Sequence, residues 1–357
     1  MASHPGKSGA TFPEAGTVPP TALLRPSLPV IRLLLPLVLL ALVMAAIAAI
    51  PPAPDTRAPG APGPALDTVR VHERTLALVG ERADTGLVSV WHFETLEAEE
   101  GPEERRRLVA EALDGSWITV DADTSFVPAT RAPWRILPER PFRLVVGLED
   151  RLERLRLDGP LPAPRDGPLD ALDLFPGEVE HEWSGPGGTV LRVHSGQRTG
   201  TLGQEETVAE GVVVDVARSW RPTEGRAPDW VVLLADGVPI LFLEEHVLTS
   251  DDQERPGGYR AWSAVREPES IWPAVEVRWT ELGAFERARR DIPAAWSASA
   301  PGPDGFEAEW SVTGSWLEAG EGEGPLLPVR AFFEVEGFVR FGDDSTAVRG
   351  LVRHVQP

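Results

Sequence analysis

The residues that could do chemistry are concentrated in residues 203–246, GQEETVAEGVVVDVARSWRPTEGRAPDWVVLLADGVPILFLEEH. Asp215, Arg218 and Trp220 lie near the end of one predicted strand of this stretch, and Glu245 ends a later one. On neighbouring strands, Arg218 and Glu245 could form an ion pair beneath an indole. An exposed pair would contribute little to stability. A carboxyl desolvated by tryptophans would instead have a raised pKa and could hold a proton near neutral pH. Both a structural and a catalytic role for Glu245 therefore stay open.

The elements that must position these residues are predicted to be strands. Short alternating runs broken by Gly, Pro and Asp occur from residue 69 onward and are typical of antiparallel sheets. ADG at 235–237 lies between VVLL and PILFL and predicts a tight hairpin. One helix is predicted at 102–113, PEERRRLVAEAL, because Pro stands in its first turn, glutamates follow, and Gly115 stands just beyond its end.

An internal similarity favours two copies of one β domain. Residues 203–216 read GQEETVAEGVVVDV, and residues 342–355 read GDDSTAVRGLVRHV. Both place Gly, then Thr four residues later, then Gly four residues after that, followed by aliphatic residues. A shared hairpin type could also produce this pattern. Taken as a repeat, the pattern predicts a first domain at 68–222 and a second at 223–357.

The N-terminal part of the chain has a different composition. Residues 33–50, LLLPLVLLALVMAAIAAI, form an uncharged run of 18, about the minimum for a membrane-spanning helix. Three basic residues and one acid precede it in segment 1–32, which places that segment in the cytoplasm and the folded part on the extracytoplasmic or periplasmic face. A Pro/Gly/Ala spacer follows at 51–67. A cleaved signal peptide is the alternative, but the long polar segment favours an uncleaved single-pass anchor in the cell membrane.

Charge and composition exclude several classes of function. The formal net charge of −21 argues against a nucleic-acid partner and against a broad basic face for anionic lipid. There are no cysteines, so disulfides, thiolate chemistry and lipoprotein acylation are excluded. None of the seven histidines forms a spaced ligand pair, and no phosphate loop or G-x-S-x-G elbow occurs. We therefore expect no metal and no cofactor.

Twelve tryptophans stand against one tyrosine. Most of these indoles are expected in the core, because each needs only one hydrogen-bond partner. We expect about three or four at a ligand cavity, since a closed barrel of about eight strands has room for one small or elongated apolar ligand.

Four segments, in order, resemble the lipocalin-like family that includes carotenoid 1,2-hydratase. SVWHFETL at 89–96 resembles that family's E-W-W-Y-x-x-G strand, and GVVVDVARSW at 211–220 its G-x-x-W-x-D-H-x-W segment. DWVVLLADGVPILFLEE at 229–245 resembles its W-D-W-x-x-L-x-L-x-D-G hairpin, and DIPAAWSASAP at 291–301 its Y-P-x-x-W strand. The resemblance covers residues 69–357. It implies an all-β fold of two tandem lipocalin-like antiparallel β-barrels, here preceded by one transmembrane helix.

The resemblance also implies an apolar ligand such as a polyene or lipid. In the hydratases a His-x-Trp pair and a Tyr-x-Asp pair are associated with protonating a terminal double bond, to which water adds. Here Trp220 is retained, but Arg218 occupies the histidine position, and Leu243 and Glu245 occupy the Tyr and Asp positions. A charged Arg218 would lower the pKa of Glu245 and favour the carboxylate, which is the wrong form for a general acid.

We therefore predict a membrane-anchored, exported protein that binds a lipid or other apolar molecule and could serve a membrane transporter. The predicted ligand-binding residues are Arg218, Trp220, Trp230, Trp91, Asp215 and Leu243. A carotenoid 1,2-hydratase-like hydro-lyase with Glu245 as its acid is the alternative. A structural envelope protein with filled barrels and no ligand is the third interpretation.

Overall fold

The computed structural model describes residues 68–128, 141–147, 151–163, 168–222, 227–245, 258–265, 269–302 and 304–357. The predicted cytoplasmic segment, membrane run and spacer at 1–67 lie outside these ranges. Within the ranges, no helix combines the length and the apolar character needed to span a membrane. Most of the described chain is β-strand.

Nine strands form the first sheet: β1 (Thr68–Arg82), β2 (Thr85–Ala98), β3 (Pro102–Leu113), β4 (Ser116–Pro128), β5 (Phe142–Val146), β6 (Leu152–Leu161), β7 (Leu169–Ser184), β8 (Val190–Leu202) and β9 (Glu205–Trp220). A short 3-10 turn, Pro186–Gly188, links β7 to β8. The strand order is β4-β3-β2-β1-β9-β8-β7-β6-β5, and all neighbours are antiparallel. The sheet curls into an open half-barrel, which brings the edge strand β5 back to β2. The ring centroid of Phe142 on β5 lies 5.7 Å from that of Trp91 and 5.2 Å from that of Phe93, both on β2.

Eight further strands form a closed antiparallel barrel: β10 (Trp230–Ala235), β11 (Val238–Glu244), β12 (Tyr259–Ser263), β13 (Ser270–Phe285), β14 (Arg290–Ala300), β15 (Phe306–Ala319), β16 (Val329–Phe341) and β17 (Asp344–Gln356). A 3-10 turn, Glu286–Ala288, links β13 to β14. Pairing of β10 with β17 closes the barrel. A β-carbon on Gly350 of β17 would lie 1.9 Å from the carbonyl oxygen of Val232 on β10, so this closing contact requires glycine.

Strand alternation gives the half-barrel two buried faces. On β1, Leu76 and Leu78 point into the concave interior, whereas Ala77 and Val79 belong to a core shared with the outer face of the barrel. The barrel interior is packed separately. Its aromatic side chains include Phe242, Trp272, Trp296, Trp310 and Phe333.

The predicted helix at 102–113 is wrong, because these residues form β3. Leu108, Ala110 and Ala112 all pack against the barrel, which is a period of two. Gly115 does not cap a helix. Instead, Gly115 follows Asp114 in the β3–β4 turn. The φ angle is 73° at Gly115 and 54° at Asp114. Positive φ at both turn residues is typical of a two-residue hairpin.

The all-β class is confirmed. The hairpin at 235–237 is also confirmed, with φ of 49° at Asp236 and 81° at Gly237. Of the two predicted barrels, the second is closed and the first is the open half-barrel.

The two similar segments, 203–216 and 342–355, occupy equivalent places in the fold. Each consists of a two-residue turn followed by the last strand of its sheet, β9 in one case and β17 in the other. The glycines that open the turns, Gly203 and Gly342, have φ of 61° and 63°. The similarity therefore reflects a shared closing hairpin.

Candidate ligand-binding site

A cleft of about 280 Å³ lies where the half-barrel meets the outer face of the barrel. Strands β2, β3 and β4 form one side of it, and β15, β16 and β17 form the other. The side chains that shape it include His92, Leu108, Trp316, Arg330, Phe332 and Arg353.

One wall of the cleft is aromatic. Phe332 of β16 is 3% exposed, and its ring centroid lies 5.5 Å from that of His92 and 6.0 Å from that of Trp316. The indole N–H of Trp316 donates to Thr119 Oγ1 at 3.0 Å, which fixes the ring against β4. Leu108 of β3 faces this wall from the half-barrel. Such a surface favours an apolar or aromatic group of a ligand.

Glu73 organises a buried charge network beside the cleft. The β1–β9 register places Glu73 opposite Arg218. Arg218 Nη2 donates to both oxygens of Glu73 at 3.1 and 3.0 Å, and Arg353 Nη2 of β17 donates to it at 2.8 Å. Burial raises the pKa of Glu73, but the positive charges of Arg218 and Arg353 outweigh it and hold the pKa below its ordinary value. Glu73 is therefore an ionised carboxylate that binds both sheets together.

His92 and Glu94 of β2 continue the network into the cleft. His92 Nδ1 lies 2.8 Å from Thr75 Oγ1, and His92 Nε2 lies 3.5 Å from Glu94 Oε1. If Thr75 donates its hydroxyl proton to Nδ1, then Nε2 carries a proton that faces Glu94. Burial raises the pKa of Glu94, but the hydrogen bond with His92 and the charge of Arg330 hold the pKa well below its ordinary value. Thr75 and Glu94 together orient the imidazole of His92 at the cleft.

One arginine of the cleft has an unused hydrogen-bond donor, and a second is held by ion pairs. Arg353 is 3% exposed, and its Nη1 has no hydrogen-bond partner among the described residues. The contacts of Arg330 within the described chain are ion pairs, at 3.1 Å to Glu94 and 4.0 Å to Glu318. Because unsatisfied buried donors are costly, an oxygen atom of a ligand would be stabilised here. Within the described residues, no group of three His, Asp or Glu side chains is placed to hold a metal ion.

Four of the predicted site residues lie between the half-barrel and the barrel. The guanidinium carbon of Arg218 lies 5.2 Å from the ring centroid of Trp220. Trp230 and Leu243 are 0% and 2% exposed in the shared core. These residues support the charge network and the core next to the cleft, whose lining comes from other residues.

Trp91 and Asp215 lie on the opposite face of the first sheet, inside the half-barrel. The Trp91 indole N–H donates to Ser89 Oγ at 3.2 Å, and Arg74 donates to the Asp215 carboxylate at 2.9 and 2.6 Å. Successive residues on a strand point to opposite faces of the sheet. Asp215 and Arg218 are three residues apart on β9, so they point to opposite faces and cannot both contact one ligand. The structure therefore separates Trp91 and Asp215 from the other predicted site residues.

The expected pairing of Arg218 with Glu245 is replaced by two separate ion pairs. Arg260 Nε donates to Glu245 Oε1 at 2.8 Å, and their side chains are 35% and 25% exposed. Arg218 is paired with a different carboxylate. Asp229, at the start of β10, accepts from Val355 N at 2.9 Å and lies 2.5 Å from His354 Nδ1.

The central residues of the network were not among the predicted site residues. They are Glu73, His92, Glu94, Arg330 and Arg353. Period-two alternation places His92 with Glu94 on one face of β2, and Glu73 with Thr75 on one face of β1. That pattern was available in the sequence. The arginines from β16 and β17 had no comparable signal, because they join the network only through packing of the barrel on the half-barrel.

Comparisons with known proteins support the fold. No protein-family model matches the chain, and no curated protein sequence matches it significantly. The crystal structure of an AttH-like protein from Nitrosomonas europaea matches 81% of this chain and 92% of its own, with a TM-score of 0.53 and 14% identity. Kievitone hydratase from Nectria haematococca matches 80% of this chain and 88% of its own, with a TM-score of 0.51 and 12% identity. The predicted lipocalin-like resemblance is thus confirmed at the level of the fold.

Proposed function

We propose that the protein binds a small molecule with an apolar or aromatic body in the cleft between the half-barrel and the barrel. The observation that carries this proposal is the wall formed by Phe332 and Trp316, which faces Leu108 across a space of about 280 Å³. This volume is near the lower end of ligand pockets, roughly 300 Å³. It suits a small ligand or one end of a longer one, such as a polyene or lipid. The closed barrel is a poorer candidate, because aromatic side chains occupy its interior.

The binding proposal is tested with all-trans-retinol, a neutral polyene whose fluorescence rises in apolar sites. Trp316→Ala removes half of the aromatic wall and is expected to weaken retinol binding about tenfold, which corresponds to roughly 1.4 kcal/mol. Trp279→Ala is the matched control, because that indole lies on β13, away from the cleft, and is 44% exposed. Equal affinities for wild type and Trp316→Ala, or no saturable binding by wild type, would contradict the proposal.

We also propose that the protein is anchored in a membrane. The uncharged run at 33–50 would anchor the chain, and the spacer at 51–67 would hold the folded part on the extracytoplasmic face. A membrane transporter is the partner that fits this arrangement, delivering or receiving the ligand. The test is alkaline carbonate extraction of bacterial membranes after expression of the full chain, together with protease treatment of spheroplasts. Recovery of the full chain in the soluble fraction, or protection of the folded part, would contradict the arrangement.

A hydratase is the second candidate function, and the geometry of His92 favours it. Its imidazole lines the cleft and is oriented by Thr75 and Glu94. An imidazole so placed could transfer a proton to a double bond while water adds to the neighbouring carbon. The similarity in fold to kievitone hydratase is compatible with this chemistry.

The hydratase candidate is tested by incubating the protein with an acyclic carotenoid and analysing the products for an added hydroxyl group. His92→Gln should abolish the product. Glu245→Gln should leave it unchanged, because Glu245 is paired with Arg260 away from the cleft. Loss of the product in Glu245→Gln alone would instead support the carotenoid 1,2-hydratase-like mechanism with Glu245 as the acid.

A further inference from the structure

The cleft differs in charge from the rest of the protein. The chain has a formal net charge of −21, yet arginines predominate among the charged side chains that line the cleft. They are Arg106, Arg107, Arg330 and Arg353, against the acids Asp123 and Glu318. Their acidic partners Glu73, Glu94 and Glu104 do not line the cleft, so a ligand would meet mainly arginine charge there.

Three of these arginines converge on one buried carboxylate. Glu94 lies 3.1 Å from Arg330, 3.8 Å from Arg106 and 3.8 Å from Arg353. The second buried carboxylate, Glu73, is shared by Arg353 and Arg218. Four guanidinium groups therefore face two buried carboxylates. Further acids balance the remaining positive charge, among them Glu104 beside Arg106 and Glu318 beside Arg330.

Two of the arginines are accessible to a ligand. The side chains of Arg106 and Arg330 are 33% and 35% exposed, whereas their shared partner Glu94 is 4% exposed. Arg106 Nε donates to Glu104 at 2.6 Å, and Arg106 Nη1 lies 3.8 Å from Glu94 Oε2. Planar guanidinium groups with free terminal N–H groups match the geometry of a carboxylate.

We propose that the ligand of the cleft is an organic acid, whose carboxylate binds Arg330 and Arg106 while its apolar body lies against Phe332 and Trp316. This inference rests on the proposed ligand-binding function and adds the chemical class of the ligand. Arg353 completes the site, because a carboxylate at this position brings an acceptor close to its unused Nη1. A neutral alcohol or ester would fill the apolar wall but would offer no carboxylate to the exposed N–H groups of the two arginines.

The experiment compares two fluorescent probes that differ only in the acidic group, cis-parinaric acid and its methyl ester, with the full-length protein at neutral pH. Wild type should bind the acid about tenfold more tightly than the ester. Arg330→Met should weaken binding of the acid about tenfold and leave the ester unchanged, which also shows that the variant is folded. Arg340→Met is the matched control on the same strand, because Arg340 is 47% exposed and pairs with Glu307 at 3.5 Å away from the cleft.

The outcomes distinguish the inference from the function on which it rests. Equal wild-type affinities for acid and ester would overturn the carboxylate inference while leaving ligand binding intact. An equal loss of acid binding in Arg330→Met and Arg340→Met would also overturn it, because the effect would then be general electrostatic attraction. If neither probe binds and retinol does not bind, the proposed function fails together with the inference.

Discussion

Replacing Glu73 with Gln should destabilise the protein by about 3 kcal/mol, the lower end of the range for breaking a buried ion pair. The carboxylate neutralises two guanidinium groups, Arg218 at 3.0 Å and Arg353 at 2.8 Å, and all three residues are at most 5% exposed. The amide keeps the shape but removes the charge. Arg218 retains the Pro228 carbonyl and the Trp220 ring as partners, which is why we expect the lower end of the range.

The assay is urea unfolding of the full chain at pH 7, with Glu97→Gln as the control. Glu97 is 43% exposed and pairs with His72 at 3.3 Å, so its replacement should cost less than about 1 kcal/mol.

The pKa of Glu73 is lower in the folded than in the unfolded protein, so its contribution to stability is fully present above about pH 4.5 and is lost as the pH falls through the folded-state pKa. The difference between wild type and Glu73→Gln should therefore shrink in acid. A loss no larger than that of Glu97→Gln at pH 7 would refute this reasoning.

Three further predictions concern other parts of the fold. Glu245→Gln should cost less than about 1 kcal/mol in urea unfolding, because its ion pair is partly exposed. Burial raises the pKa of Glu334, so its ionisation destabilises the fold as the pH rises from 4.5 through the raised pKa. Glu334→Gln should therefore be more stable than wild type at pH 7 and similar to it at pH 4. Gly350→Ala should cost about 1 to 3 kcal/mol by crowding the β10–β17 contact. Gly283→Ala, whose new methyl group would lie 3.8 Å from its nearest neighbour, should be close to neutral in the same assay.

The sequence predicted the strand regions and the turn chemistry well, because both depend on local pattern. Asp236 and Gly237 of the ADG turn, and Gly203 and Gly342 of the other two turns, have the positive φ that their residue types favour. The helix predicted at 102–113 failed because Pro, Glu and a following Gly also fit the start and end of a strand hairpin. Its alternating buried residues, Leu108, Ala110 and Ala112, carried the better signal.

The structure divides the predicted site residues between two faces of the first sheet. Arg218, Trp220, Trp230 and Leu243 do lie between the two sheets. Asp215 could have been separated from Arg218 by counting, since the two are three residues apart on one strand and therefore point to opposite faces. By contrast, the partner of Arg218 is 145 residues away along the chain, and no local pattern could pair them.

The position of the cleft decides where the proposed ligand would bind in this fold. A lipocalin-like barrel invites the expectation of a ligand inside it, but here Trp296, Trp310 and Phe333 occupy that interior. The cleft lies on the outside of the barrel, where the half-barrel covers it. The proposed ligand would touch both sheets at once, next to the Glu73 network that also joins them. Binding of the ligand and packing of the two sheets are then thermodynamically linked, so each should strengthen the other. A variant that loosens this packing, such as Glu73→Gln, should consequently weaken ligand binding without altering any residue that lines the cleft.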